Sequence, residues 1–324
     1  MSSSTSSSNA RKFVVLLGAA IFACELTVAI SLPGNRGRNE VDHAASVDLT
    51  ERADGKAVVL SDSVTYGVLL GRNDASGIID LATIQWIGLP GNAFLLSRYL
   101  ERAIRAPKVV VYVASPISLS EGLNSPWTKQ YFSSVFTRDS EIAFVQEQLG
   151  RPDLLEDMQA AQLETRFSIP SHMRAGHVSR YLGEGLRIAK GKLGGSRTGQ
   201  WGEEARAKLA RRKQLTECVL SNETQVGLRE LARVTAAAGS RLALAPPPLP
   251  PELLEGWQET GYWADYCSKL EAFADLHSHV SFRDEPLYLP TENSLFVDGI
   301  HFGAAGKDQW GAALVTWIGE LISE

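Results

Sequence analysis

The chain has 324 residues, of which 44% are hydrophobic and 21% are charged, and its formal net charge is −5. This composition is typical of a globular protein, so disorder and a collagen-like repeat are excluded for most of the chain. The negative net charge argues against a nucleic-acid-binding domain. The three cysteines, Cys24, Cys218 and Cys267, include no CxxC pair, which excludes a zinc ribbon and a dense disulfide scaffold. We predict neither a metal site nor a cofactor.

The N-terminal segment is predicted to attach the chain to a membrane. Residues 1–12 are a short polar tail that ends in two basic residues, and an apolar run follows it. Residues 13–32 have about the length that a helix needs to span a bilayer, roughly 20 residues, so we predict a transmembrane anchor there. A cleaved signal peptide and a lipoprotein signal at Cys24 are the alternatives. Residues 33–55 are then a polar tether.

The orientation of this anchor follows from its position. Two basic residues precede the apolar run and two follow it soon after, so the positive-inside rule gives no preference. A short tail ahead of one apolar run is typical of an uncleaved signal, and we therefore expect the large domain on the extracytoplasmic, periplasmic side. In that oxidising compartment Cys218 and Cys267 either pair or remain two buried thiols.

The remaining residues, 56–324, alternate short apolar runs with helical patterns. Continuous apolar runs predict buried strands at 57–60, 108–114, 241–245 and 279–282, and residues 78–87 partly alternate before a loop signal at 88–91. Helical periodicity predicts helices at 93–105, 226–238, 257–276 and 304–322. This order predicts an α/β domain of three layers, α/β/α, with a mostly parallel sheet. The active site of such a fold lies at the carboxyl ends of the strands.

An insertion at 120–222 interrupts the alternation. It contains helical patterns and loops but no convincing strand, and its stretch 186–213 is rich in Lys and Arg. That charge indicates either a solvated helical face or a contact with anionic lipid headgroups or an acidic polymer. We expect the insertion to pack over the active site or toward the membrane, because its apolar periodicity is too weak for a core of its own.

Two polar motifs lie at opposite ends of the domain. The segment 61–67 directly follows the first predicted strand, so the Ser63 hydroxyl is expected at the sheet edge, with the Ser63 amide able to face an oxyanion. Asp298 and His301 are three residues apart, a spacing that directs both side chains to one side of a turn. A serine nucleophile needs a base, and the base needs a carboxylate that fixes its tautomer. Taken alone, the serine motif can be a helix cap and the histidine can be an ordinary surface residue. The prediction therefore depends on the presence of both motifs in one domain.

The motifs resemble blocks of the SGNH (GDSL) hydrolases. Residues 61–67, Ser-Asp-Ser-Val-Thr-Tyr-Gly, are similar to the family's first block, Gly-Asp-Ser-hydrophobic-Ser/Thr-x-Gly. Residues 298–306, Asp-Gly-Ile-His-Phe-Gly-Ala-Ala-Gly, are similar to its last block, Asp-x-x-His. The resemblance covers about residues 56–320 without the insertion. It implies the fold given above and a serine-dependent ester chemistry.

The resemblance also implies a role for each motif residue. Ser63 would be the nucleophile, His301 the base and Asp298 the partner that orients the base. Gly91 stands where the second-block glycine is expected, so the amides of Ser63 and Gly91, with Asn92 beside them, would form the oxyanion hole.

The chain departs from the family pattern in two blocks. Ser61 replaces the leading glycine of the first block, which is a mild change. The third block normally places an asparagine after the central strand, but residues 114–117 read Ala-Ser-Pro-Ile. Loss of one oxyanion donor typically costs about 10²–10³ in rate. Asn92 or Asn124 would have to replace the missing side chain.

Together these observations predict a membrane-anchored serine esterase or O-acyltransferase. The layout is similar to that of anchored proteins that O-acetylate exported polysaccharides, which implies a carbohydrate or acyl-ester substrate and envelope synthase or transferase partners. One alternative is a catalytically degenerate SGNH domain that binds polysaccharide or a synthase partner. The other is a lipase close to the membrane.

Overall fold

The computed structural model describes residues 55–69, 77–83, 86–167 and 203–324. The predicted tail and anchor, and the tether up to residue 54, lie outside these ranges. Within them, no helix combines the length and the apolarity that crossing a membrane requires.

Two compact units make up the chain. One consists of residues 39–162 and 197–324 and contains the sheet and the candidate site. The other consists of residues 1–38 and 163–196, of which the structure describes only 163–167.

A parallel sheet of five strands forms the centre of the described residues. The strands are β1 (Ala57–Leu60), β2 (Ile78–Asp80), β3 (Val109–Val113), β4 (Arg241–Ala245) and β5 (Val280–Phe282). Their order is β2-β1-β3-β4-β5, and every neighbouring pair is parallel. The predicted α/β fold with a parallel sheet is confirmed. The register pairs Leu60 with Tyr112, so β1 and β3 end at the same edge.

Helices surround the sheet. They are α1 (Gly88–Leu100), α2 (Pro116–Glu121), α3 (Pro126–Val135), α4 (Asp139–Phe144), α5 (Pro152–Phe167), α6 (Glu203–Lys213), α7 (Asn222–Ala237), α8 (Pro251–Thr260), α9 (Tyr262–Asp275) and α10 (Ala304–Ser323). A π-helical turn at Val145–Leu149 extends α4, and a short 3₁₀ helix covers Asn293–Leu295.

Alternate residues of the strands enter two separate apolar cores. Val58 and Tyr112 face the larger core, which α1, α7, α8 and α9 cover. Val59 and Val111 face the other core, which α10 covers with residues such as Trp310. Because both faces of the sheet are buried, its strands need continuous apolar sequences, and this gives the three layers.

Helix α1 begins earlier than the sequence suggests. Residues 88–91 are predicted as a loop, but they form the first turn of α1, and only residues 78–80 of the segment 78–87 form a strand. Pro90 is tolerated there because the first amides of a helix have no intrahelical acceptor. The prediction of a loop at 88–91 is therefore wrong.

The single helix predicted at 257–276 is two helices in the structure. Gly261 separates α8 from α9 with a φ of 82°, a left-handed conformation that favours glycine. Helix α8 also starts six residues before the predicted boundary, at Pro251. Proline suits the first turn of a helix, so it begins this one rather than preventing it.

The described helices of the insertion share the larger core. Phe132 of α3 and Phe136, which follows the helix, pack on Phe94 of α1, with ring centroids 5.9 and 5.3 Å apart. The buried guanidinium of Arg98 binds both carboxylate oxygens of Glu141 in α4, at 2.7 and 2.9 Å. These contacts attach α3 and α4 firmly to α1.

Candidate active site

The segment after β1 forms a compact turn that presents Ser63. The carboxylate of Asp62 accepts a hydrogen bond from the Val64 amide at 2.9 Å, and the Asp62 carbonyl accepts one from the Thr65 amide at 3.1 Å. Ser61 donates its hydroxyl to the Val113 carbonyl at 3.3 Å. The nucleophile turn, residues 61–67, is thereby fixed to the carboxyl ends of both β1 and β3.

The base loop, residues 298–301, is held by the carboxylate of Asp298. Its Oδ1 atom accepts hydrogen bonds from the amides of Ile300 at 2.9 Å and His301 at 2.8 Å. The Val297 amide donates to the His301 carbonyl at 2.8 Å, which closes the loop just before α10. The spacing of three residues therefore produces the predicted arrangement of both side chains on one side.

The two motifs meet at the edge of the sheet. The Ser63 Oγ and His301 Nε2 atoms are 2.9 Å apart, although the residues are separated by 238 positions in the chain. The His301 Nδ1 and Asp298 Oδ2 atoms are 2.7 Å apart. The Ser63–His301–Asp298 triad has the geometry in which a histidine can take the serine proton while a carboxylate orients it.

Asp298 is kept ionised by its hydrogen bonds. Burial alone would raise the pKa of this carboxyl, but the bonds from the His301 ring and from the two amides outweigh it and lower the pKa to about 2. A charged Asp298 can accept from the Nδ1–H group and can stabilise a positive charge on the ring of His301.

Two contacts of the nucleophile turn were missed by the sequence analysis. Ser118 of α2 donates its hydroxyl to the second carboxylate oxygen of Asp62 at 2.5 Å. Lys307 of α10 donates its ammonium group to the Tyr66 carbonyl at 2.8 Å. Each is a single polar residue in a helical segment, and neither has a local signal that reveals its distant partner.

The oxyanion hole differs from the prediction. The Gly91 amide donates to the Ile87 carbonyl at 3.3 Å inside α1. The Asn92 side chain is fully buried and donates to the Gly88 carbonyl at 2.9 Å. The Gly91 amide and one N–H group of Asn92 are thus used inside α1, because α1 begins at Gly88, and this argues against their predicted oxyanion role. The Ser63 amide donates to no other described residue. Of the three predicted oxyanion donors, it is the one that is still available.

A cavity of about 420 Å³ lies beside the base loop. Its walls are one face of α6 and the base loop itself, with these lining residues: Glu204, Ala205, Lys208, Arg212, Asp298, Gly299, Ile300 and His301. The candidate base therefore borders a space that can receive part of a substrate.

The described residues contain no cluster of His, Cys, Asp or Glu that could hold a metal ion. Cys218 and Cys267 are both free thiols, the first buried and the second partly exposed. Burial raises the pKa of Cys218 to about 11 and that of Cys267 to about 12, so neither has the character of a reactive thiolate.

Comparison with known proteins gives only distant similarity. No family model matches the chain, and no curated protein matches it. A solved structure described as a "putative acylhydrolase" from Bacteroides fragilis is 12% identical, with a TM-score of 0.39, and the match covers 86% of this chain and 98% of that one. A structure described as a "putative platelet activating factor" from a Streptococcus is 10% identical, with a TM-score of 0.39, and the match covers 95% and 99%.

Proposed function

We propose that this protein is a serine-dependent ester hydrolase or O-acyltransferase of the SGNH type. The observation that supports it most directly is the pair of distances in the triad, 2.9 Å from Ser63 to His301 and 2.7 Å from His301 to Asp298. The parallel sheet adds support, because Ser63 lies at the carboxyl end of a strand, where α/β folds place their active sites.

The proposed reaction has two halves. Ser63 Oγ attacks the ester carbonyl while His301 Nε2 takes its proton, and the oxyanion that forms faces the Ser63 amide. The tetrahedral intermediate then expels the alcohol, which receives the proton from His301, and leaves an acyl-enzyme. Water or an acceptor hydroxyl attacks this ester by the same steps in reverse. Asp298 keeps the histidine ring in the required tautomer throughout.

The proposed substrate is an O-acetylated polysaccharide of the cell envelope. This part rests on the SGNH resemblance and on the apolar run at 13–32, which would anchor the domain on the extracytoplasmic side. In that setting the donor or acceptor would come from an envelope synthase or transferase partner.

Labelling with a fluorophosphonate probe tests the chemistry. The probe phosphonylates an activated serine, so the native protein should be labelled and Ser63→Ala should not. Ser120→Ala is a matched control, because Ser120 bonds locally to the Ile117 carbonyl at 3.0 Å and should leave labelling intact. Acetate release, with and without an added sugar acceptor, then separates hydrolysis from transfer.

A non-catalytic binding domain is the second candidate. The hydrogen bonds that Gly91 and Asn92 donate inside α1 favour it, because they leave fewer donors for an oxyanion. If the protein binds polysaccharide but is not labelled by the fluorophosphonate probe, this alternative is supported and the proposed enzymatic function is wrong.

A further inference from the structure

Helix α6 packs directly on the base loop. Leu209, a buried residue of this helix, lies against Gly299: a Cβ atom on Gly299 would be 3.7 Å from the Leu209 Cδ1 atom and 4.0 Å from the Ala205 carbonyl oxygen. Since the close approach involves the loop backbone itself, α6 is a wall of the candidate active site.

One face of α6 gives this wall its charge. Glu204, Lys208 and Arg212 follow one another at intervals of four residues, so they share a face of the helix. All three line the 420 Å³ cavity, together with His301 and Asp298. Asp298 is occupied by its hydrogen bonds with the base loop, which leaves two cations and one carboxylate on α6 to face a bound molecule.

The cations of this wall are available to a ligand. Lys208 pairs with Glu204 at 3.1 Å, but the two side chains are 55% and 83% exposed, so the pair is weak and exchanges readily. The half-buried Arg212 makes no ion pair within the described ranges, and it interacts at longer range with Glu121, whose pKa is raised by burial while the charge of Arg212 acts in the opposite direction. Its carbonyl accepts a hydrogen bond from the Trp257 indole at 2.7 Å, which fixes this turn of α6 and therefore the base of the side chain.

The position of the cavity indicates which part of an ester it receives. In acyl transfer from serine, the histidine gives its proton to the oxygen of the leaving alcohol. A cavity that His301 lines is therefore on the side of that alcohol, or of the hydroxyl that later accepts the acyl group.

We propose that the alcohol part of the substrate carries an anionic group, a carboxylate or a phosphate, and that Arg212 binds it with Lys208 as a second cation. This inference rests on the proposed ester chemistry and specifies its substrate class. The planar guanidinium matches carboxylate and phosphate oxygens in pairs, which gives orientation as well as attraction. For a polysaccharide substrate, the repeat unit would contain a uronic acid or a phosphate.

Two matched pairs of acetyl esters test this preference. One pair is O-acetylated methyl galacturonoside and O-acetylated methyl galactoside, and the other is acetylated glycerol phosphate and acetylated glycerol. We expect an anionic ester to exceed its neutral partner in kcat/KM by about tenfold, the effect of one charge-assisted hydrogen bond in a partly exposed site. The pair that shows the difference identifies the anion.

Variants of two neighbouring arginines test whether Arg212 causes the preference for anionic esters. Arg212→Gln should abolish the preference and leave the neutral esters within about twofold of native, because the lost interaction involves only the anion. Arg211→Gln is the matched control: this exposed side chain bonds to the Ala207 carbonyl at 3.3 Å and does not line the cavity. Equal rates on both members of both pairs, or an equal loss on anionic and neutral esters in Arg212→Gln, would overturn the proposal.

Binding to Ser63→Ala separates this inference from the proposed function. Calorimetric titration of this variant with the four esters measures affinity without turnover. Tighter binding of an anionic ester, lost in the Ser63→Ala/Arg212→Gln double variant, supports the inference even if the native protein releases no acetate. Equal affinity for anionic and neutral esters contradicts it, whatever the native activity.

Discussion

Ser118 of α2 donates a 2.5 Å hydrogen bond to the buried carboxylate of Asp62, the residue that precedes the candidate nucleophile. The other carboxylate oxygen of Asp62 accepts from the Val64 amide, so both oxygens have partners. Because α2 follows β3 and Asp62 follows β1, the bond joins the ends of two adjacent strands beneath Ser63.

Ser118→Ala should destabilise the protein. The substitution leaves a buried carboxylate oxygen without its partner, which typically costs about 1–3 kcal/mol. Unfolding in urea measures the change. Ser323→Ala is a suitable control, since that exposed hydroxyl bonds only within its own helix, at 2.8 Å to the Gly319 carbonyl, and should change stability by less than about 0.5 kcal/mol. Equal stability of the two variants would contradict this role for Ser118.

Asp62 should make stability depend on pH. Burial raises its pKa above the ordinary value of 3.8, although the hydrogen bonds from Ser118 and Val64 and the charge of His301 act in the opposite direction. The folded state therefore favours the protonated carboxyl, whose stabilising contribution is complete below 3.8 and is lost as pH rises through the folded pKa.

The comparison with Asp62→Asn isolates this contribution to stability, because the amide cannot ionise: its oxygen can accept from the Val64 amide and its NH2 group can donate to the Ser118 hydroxyl. Relative to that variant, the native protein should lose free energy of unfolding as pH rises from below 3.8 toward neutrality. Urea unfolding across this range gives the difference, and a constant value would show that Asp62 does not titrate differently on folding.

Removal of single triad members should not be additive. Ser63→Ala and His301→Ala should each abolish acetyl-ester turnover, and the double variant should be no worse than either, because both lose the same acylation step. Asp298→Asn should cost less, since this residue orients the base without taking the proton. Thermal midpoints should change little for a polar edge with few buried contacts. Full turnover by a folded Ser63→Ala protein would refute the mechanism.

Lys307 is expected to position the nucleophile turn. Its bond to the Tyr66 carbonyl joins the start of α10 to residues 61–67, so Lys307→Met should shift Ser63 relative to His301 and lower kcat by about tenfold or more. Lys108→Met is a matched control, because Lys108 makes a similar 3.0 Å bond to the Ile322 carbonyl near the other end of α10. It should affect stability but not kcat. Similar kcat values for both variants would assign Lys307 a purely structural role.

The sequence predicted the sheet better than the site. Strands β1, β3 and β4 lie within one residue of their predicted bounds, because buried parallel strands have continuous apolar sequences. The three triad residues were found from two motifs whose resemblance to SGNH blocks specifies both residue type and spacing. The structure brings these three side chains together, while their catalytic role stays a prediction.

The oxyanion donors could not be predicted because they depend on a helix boundary. Whether Gly91 and Asn92 are free is decided by the start of α1, and boundaries are poorly determined by local patterns. Ser118, Lys307 and Arg212 matter through partners distant in the chain, which periodicity does not reveal. Only the packing of α2, α10 and α6 places them near the nucleophile turn and the base loop.

The position of α10 also has a consequence for synthesis of the chain. This helix packs on one face of the sheet, with Trp310, Leu314 and Ile318 fully buried, and it begins soon after the base loop. Until residues 304–323 have left the ribosome, that apolar face lacks the cover that α10 provides. A nascent chain that stops short of this segment exposes an apolar surface of the sheet, which makes it a target for chaperones and proteases.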